Sequence, residues 1–291
     1  MCFAPGTADI PVIRFAAEVD VVLPTFVIVG AQKAGTTSLW KVVASHPDVA
    51  RPNRKEVHFF DRKFDKGVDW YSGLFTLKPG QTQAGESTPI YMYDPVVRRR
   101  MIDTLPDIKV VITLRDPVSR AYSHYWHTKR HGFEPHDTFE AAVAAEPERL
   151  ANAGIIQRGR WSYLDRGRYV GQLQALEQAY GRAAMCITTL EEMIADSPVQ
   201  ISKVLRHIDL DPARMESLAL PHANPFQTIT PKERRRRIKA GEPLPDDLDV
   251  KYPPLGDETR AKLREEFAAD DARLLEWLGW DRLPWTSLAN A

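Results

Sequence analysis

Cysteine is nearly missing from this 291-residue chain, with only Cys2 and Cys186 present, far apart and without metal-ligand or redox spacing. That scarcity excludes a disulfide framework and a thiolate zinc site, and a reducing compartment is expected. No run of eighteen apolar residues occurs anywhere. The opening stretch MCFAPGTADIPVIRF also lacks the basic start and long apolar core of a secretory signal. A soluble, cytoplasmic protein with no membrane span is therefore expected, with Cys2 in a frayed terminus rather than serving as a lipid anchor. An excess of either charge is missing too, because 39 Lys and Arg balance 39 Asp and Glu. No global field draws the protein to nucleic acid or to a membrane, so any anion site must be local. Internal repeats and long low-complexity tracts are likewise absent. What remains is 43% hydrophobic content, enough for one large core, and a single domain over 1–291 is expected.

The stretch Thr25 to His46, TFVIVGAQKAGTTSLWKVVASH, carries the clearest local signal. Phe26 to Val29 predict a buried strand, and Gly30 ends it as a residue free to take positive φ. After a short loop, Gly35, Thr36 and Thr37 open a helix with apolar positions at Leu39, Val42 and Val43, closed near His46 by Pro47. Strand, Gly-bounded loop and helix aim backbone N–H groups and the positive end of a helix dipole at one spot. The Thr hydroxyls and Lys33 add donors there, which suits a phosphate or a sulfate. An ordinary tight βα turn is the alternative. A Walker A loop fits less well, because that pattern puts its Lys directly after the second Gly, whereas Lys33 precedes Gly35 by two residues.

Further along, Pro52 to Asp61, PNRKEVHFFD, suits a loop or short edge element that returns across the mouth of the same pocket. In the competing view Phe59 and Phe60 anchor a surface loop while Glu56 and His58 are solvated. Gln83 to Ser87 predicts a strand, and Pro95 to Thr104 a helix whose Arg98, Arg99 and Arg100 form a solvated face. Lys109 to His127, KVVITLRDPVSRAYSHYWH, is the second strong signal. It predicts a buried strand through Leu114, Arg115 at its carboxyl end, Asp116 as cap, Pro117 at the first helical position, and Ser123 on the helix that follows. Ligands bind beyond the carboxyl ends of parallel strands, so Arg115 and the Lys33 loop share a crevice if their strands are neighbours. Asp116 could also be a metal-holding acid of an ATPase, but the following Pro117 already explains it as a helix start.

Patterning next predicts an Ala-rich insertion with a helix over 133–150, a flexible loop over 152–161, and an amphipathic helix over 166–180 stopped by Gly181. A third core strand follows over 184–189, then a helix capped by Ser197. This βαβ alternation implies an α/β fold with an open, mainly parallel sheet and helices on both faces. Residues 1–23 form an N-terminal extension, and the Pro-rich, charged stretch 221–254 a lid or a cofactor or substrate loop. Residues 255–291 hold two helices, around Asp257 to Phe267 and Asp270 to Leu278, docked by Trp277, Trp280 and Trp285.

With both signals in hand, the chain resembles the sulfotransferases that use 3′-phosphoadenosine 5′-phosphosulfate (PAPS, leaving PAP). It looks closest to the heparan sulfate N- and 3-O-sulfotransferases and their bacterial relatives. The likeness runs from about Thr25 to Trp285 on GAQKAGTTSL, KEVHFFD, the Arg115 to Ser123 run and RGRYVGQL, with KYPPLGDETRAKL late in the chain. It implies a P-loop-NTPase-like sheet. It further implies that Lys33, Ala34, Gly35, Thr36, Thr37 and Ser38 hold the 5′-phosphosulfate, that Arg115 and Ser123 bind the 3′-phosphate, and that Glu56 is the general base. Lys33 would neutralise the leaving oxygen, and His58 would orient Glu56 or the acceptor. No metal is required by this scheme. The acceptor would be a small molecule, sugar or lipid.

Three departures bear on that transfer. The family's basic glycine-containing loop is replaced by Asp246, Asp247 and Asp249 before Lys251, Ser87 stands where the 3-O enzymes have Lys, and their late cysteine pair is missing. Basic residues of 232–239 could complete the 3′-phosphate site, and Phe226 is a candidate for stacking on adenine. A magnesium-dependent ATP phosphotransferase and a non-catalytic nucleotide-binding protein are the competing classes. No feature of the sequence sets an oligomeric state.

Overall fold

The computed structural model describes residues 12–14, 20–221, 227–246, 248 and 251–286, so the readings at Cys2, Phe226, Asp247 and Asp249 lie outside the described residues. Two short strands, β1 (Val12–Arg14) and β2 (Asp20–Val22), pair antiparallel. The main sheet follows with β3 (Phe26–Gly30), β4 (Val49–Ala50), β5 (Gln83–Ser87), β6 (Lys109–Leu114) and β7 (Met185–Thr189). Its order is β4-β5-β3-β6-β7 and every pairing is parallel. Such a sheet must be covered on both faces, which is why β3 and most of β6 read as apolar runs, whereas β5 buries the polar Gln83, Glu86 and Ser87.

Side chains alternate across β3. Phe26 and Ile28 pack with Leu39 and Val43 of the Thr36–Val43 helix and with Ile201 and Val204 of the Ser197–His207 helix. Val27 and Val29 face the other way, into a core shared with Val97 of the Pro95–Thr104 helix, Leu173 of the Tyr169–Tyr180 helix and Leu274 of the Asp257–Leu278 helix. A third cluster joins Val118 and Tyr125 of the Pro117–Arg130 helix to Phe139, Tyr163 and Phe267. Among the described residues no helix is long and apolar enough to cross a membrane.

Several expectations are corrected. Gly30 does not take positive φ; a Cβ there would meet Met92 Cβ at 3.0 Å, so the position is selected by close approach. Positive φ falls instead at Lys33 (70°) and Gly35 (83°). The first helix stops at Val43, short of His46. Residues 155–161 form a helix, not a loop, since Arg158 is tied to Asp94 at 2.7 Å and Ile155 packs on the core. The 133–150 insertion holds two short helices, Phe139–Ala144 and Glu146–Ala151. Asp196, rather than Ser197, caps its helix, accepting from Val199 N at 3.2 Å.

The 166–180 helix begins only at Tyr169, after a 3₁₀ turn over Asp165–Gly167. Gly167 is wedged there between Phe267 and Pro117, each about 3 Å from where a Cβ would lie. Arg98 and Arg100 are not merely solvated, because they donate to Met92 O at 2.7 Å and Phe60 O at 2.9 Å. The two C-terminal helices are one, Asp257–Leu278. Asp270 and Asp271, which look like a break in the sequence, are held by Arg168 and by Trp285 Nε1. The stretch expected to be a lid contains a ten-residue helix, Pro231–Ala240.

Candidate active site

β3 and β6 lie side by side in parallel register, with Gly30 opposite Ile112. The chain leaving β3 stays latched to its neighbour, since Ala31 N donates to Thr113 O at 2.6 Å. Within six residues of Gly30 the chain must turn into a helix, and Lys33 and Gly35 make that turn in left-handed conformations. Gly35 is the N-cap, and it offers no side chain to accept from the first turn, which also lacks an acidic residue. An uncapped helix start of this kind presents its amides and the positive end of its dipole to an anion. A Cβ on Gly35 would lie 2.7 Å from Leu190 Cδ1, so the tight turn is also braced from behind. Thr36 is buried, and Lys33, Thr37 and Ser38 are partly exposed along the loop and first turn.

Arg115 stands just beyond β6, and its guanidinium donates to Lys33 O at 2.9 Å. Tyr169 Oη donates to Arg115 O at 2.8 Å, and Asp116 N donates to Glu191 Oε1 at 3.0 Å, which together fix the backbone on which Arg115 sits. Asp116 caps the next helix by accepting from Val118 N and Ser119 N. Two turns on, Ser123 is buried, 7% exposed, on the same helix. Burial, together with the charges of Arg130 and Arg115, lowers the Lys33 ammonium pKa to about 8. Its Nζ makes no ion pair among the described residues, and an entering anion would relieve the repulsion it feels. The donor set (an uncapped helix start with a lysine on its loop, and an arginine bonded to that loop from the neighbouring strand end) therefore fits a nucleotide carrying two anionic groups.

Glu56 and His58 sit on the segment between β4 and the short Phe59–Arg62 helix, with φ of 59° and 56°. The segment is anchored from beneath. Phe59 stacks on Tyr71 at 4.4 Å between centroids, and Phe59 N donates to Tyr91 Oη at 2.9 Å. Tyr91 and Tyr71 both donate to the buried Glu86 of β5. Phe59 and Phe60 are thus core residues, while Glu56 and His58 are only partly covered and bonded to one another.

Glu56 Oε1 accepts from Lys55 Nζ at 2.6 Å, and Oε2 faces His58 Nε2 at 3.4 Å. His58 Nδ1 meets Asp61 Oδ2 at 2.8 Å. Burial works to raise the Glu56 pKa, but the His58 hydrogen bond and the Lys55 charge outweigh it and hold the carboxyl well below the usual range. For His58 burial opposes the charged form, yet the bonds to Asp61 and Glu56 prevail and raise its pKa. An imidazolium between two carboxylates is the state that satisfies both contacts.

Glu56, His58 and Asp61 face a cavity of about 240 Å³ that also touches Gln32 of the anion loop. Its far side is made by His124, His127 and Arg166, residues the sequence left unassigned. His127 lies near Lys33, and burial with that charge lowers its imidazole pKa to about 3, leaving it neutral. The helical spacing of Ser123, His127 and Arg130 was the available signal, since i, i+4 and i+7 share one face. Asp61, three residues after His58, was legible in the same way. Arg166 opens the RGRYVGQL stretch quoted above, but nothing local to that stretch assigned it to the site, which it reaches through the tertiary fold.

Residues 23–222 match the sulfotransferase domain family. Heparan sulfate glucosamine 3-O-sulfotransferase 3B1 of Homo sapiens is 32% identical over 184 residues, which is 62% of this chain and 45% of that protein. The bifunctional heparan sulfate N-deacetylase/N-sulfotransferase 1 of Caenorhabditis elegans is 26% identical over 271 residues, covering 90% of this chain and 30% of that protein. The chain thus spans less than half the length of these curated relatives. Among solved structures, a sulfotransferase from Alicyclobacillus acidocaldarius superposes with a TM-score of 0.67 at 27% identity, covering 90% of this chain and 98% of that one.

Proposed function

Because this chain belongs to the sulfotransferase family, we propose that it moves a sulfuryl group from PAPS to a hydroxyl or amine of a small-molecule, carbohydrate or lipid acceptor by in-line displacement. The observation that carries the reading is the 2.9 Å bond from Arg115 to Lys33 O, which joins two strand ends into one crevice. When bound, PAPS supplies the activated sulfuryl group. Lys33, Ala34, Gly35, Thr36, Thr37 and Ser38 would hold its 5′ end, and Arg115 with Ser123 its 3′-phosphate. Lys33 would balance charge on the departing oxygen.

Glu56 would take the acceptor proton as attack proceeds. Its carboxyl is ionised at any working pH, the correct form for a base, though the contact to Lys55 lowers its basicity. His58 would hold Glu56 in place, itself steadied by Asp61. The cavity beside these groups would receive the acceptor. Ser87 is buried, 1% exposed, so the position does not serve that cavity as a long cation would. A cytoplasmic setting accords with the cysteine usage.

Calorimetry against PAP and against Mg-ATP, each with and without chelator, tests the donor. Metal-independent binding of PAP with indifference to ATP is expected, and the reverse pattern would favour a phosphotransferase. Glu56→Gln should abolish turnover while keeping PAP affinity; unchanged turnover would remove Glu56 from the mechanism.

A further inference from the structure

Buried charges in proteins are paired, because a lone ion loses its hydration without return. Arg166 departs from that rule. It is 1% exposed and lines the cavity beside Glu56. Among the described residues its guanidinium bonds only to the neutral oxygens of Gln32 and Gly159, and its Nε has no partner. The Tyr93 ring covers one side, 4.5 Å from Cζ. The nearest carboxylates are engaged elsewhere, Asp94 by Arg158 at 2.7 Å and Asp165 by Tyr93 at 2.5 Å. Arg120, also fully buried with unpartnered Nε and NH1, adds its field to the same region. Beside them His124, 1% exposed and likewise lining the cavity, has an unpartnered Nδ1.

The rest of the cavity is different in character. Ile90 and Ile155 form apolar wall, and Ile156 stands 47% exposed at the rim. Phe133, 42% exposed, lies under the Arg160 guanidinium at 3.7 Å. The volume, about 240 Å³, falls below the range of about 300–1,000 Å³ usual for drug-sized ligands. Resting on the sulfuryl-transfer reading above, we propose that the acceptor is a small molecule with an apolar body and an anionic group, the anion held by Arg166 and His124 and the hydroxyl or amine presented to Glu56.

A second, larger groove of about 950 Å³ argues for the competing occupant, an extended polyanion. Lys41, Arg51, Arg54, Lys55 and Lys78 line it, and no carboxylate does. Glu56 and His58, however, open on the smaller cavity and not on this groove.

The test supplies PAPS and one of three acceptors: 3-(4-hydroxyphenyl)propionate, its neutral amide, and a desulfated heparan-type polysaccharide. Product is followed by mass spectrometry. The acid is expected to be sulfated with kcat/KM about tenfold above the amide, as a charge-assisted contact requires. Arg166→Met should erase that preference. Ile156→Trp, a change at the exposed rim that spares the fold, should raise the acceptor KM severalfold without moving the PAP Kd. If the amide equals the acid, or the polysaccharide is the better acceptor, the proposal is wrong while sulfuryl transfer stands. It is also wrong if the acid neither turns over nor gives a saturation-transfer NMR signal with the PAP complex. Failure to bind PAP by calorimetry would instead overturn the transfer reading, and the acceptor assignment with it.

Discussion

Lys33 concentrates the electrostatics of the site in one ammonium. An unfolded chain keeps that proton to the ordinary 10.5, whereas the folded loop releases it near 8, driven by burial and by Arg130 and Arg115. Between those values the unfolded state binds more protons, so the stability contribution of Lys33 rises with pH. Affinity for an anion runs the other way, since the neutral amine attracts nothing. PAP binding should therefore weaken as pH climbs past about 8, and Lys33→Arg, charged throughout, should flatten the alkaline limb of a calorimetric pH series. Lys33, Arg115 and Glu56 were legible as candidates because each sits in a short contiguous motif. The part proposed for Arg166 was not, although it opens the RGRYVGQL stretch, because burial without a counter-charge is a property of the fold.

The turn between β3 and the first helix, which carries the proposed anion site, depends on a position where only glycine fits without strain. Gly35 has φ of 83°, and a side chain there would press on Leu190 Cδ1 at 2.7 Å. Gly35→Ala should cost about 1–3 kcal/mol in a denaturant titration, through the left-handed conformation and the clash together. PAP affinity should drop in parallel, because any relief of strain re-aims the first-turn amides. The central strands β3 and β6 could be read from composition, since parallel strands buried on both faces are rich in apolar residues. Helix ends were harder. Asp270 and Asp271 look like a break until Arg168 and Trp285 are seen to claim them. Asn152 to Trp161 reads as a loop until the Arg158 bond to Asp94 is known.

The long final helix ties the molecule together. It packs on the Pro117–Arg130 and Tyr169–Tyr180 helices and sends Arg264 toward Asp116 at 3.4 Å, behind the Arg115 strand end. Trp285, fully buried, pins it by donating Nε1 to Asp271 at 2.9 Å. Trp285→Ala should cost about 3–5 kcal/mol and lower Tm by several degrees in calorimetric melting, as deletion of a buried indole does. If melting were unaffected, the helix would owe its place to other contacts.

The groups proposed to grip the donor and the outer walls proposed to meet the acceptor belong to different parts of the chain, although Gln32 and Ile90 line the cavity from the strand ends. Lys33 and Arg115 hang on the central strand ends, whereas Ile155, Ile156 and Phe133 lie on peripheral segments outside the sheet. On the reading proposed above, substitutions in those outer segments would change which acceptor is taken while leaving the strand-end groups proposed to hold the donor in place.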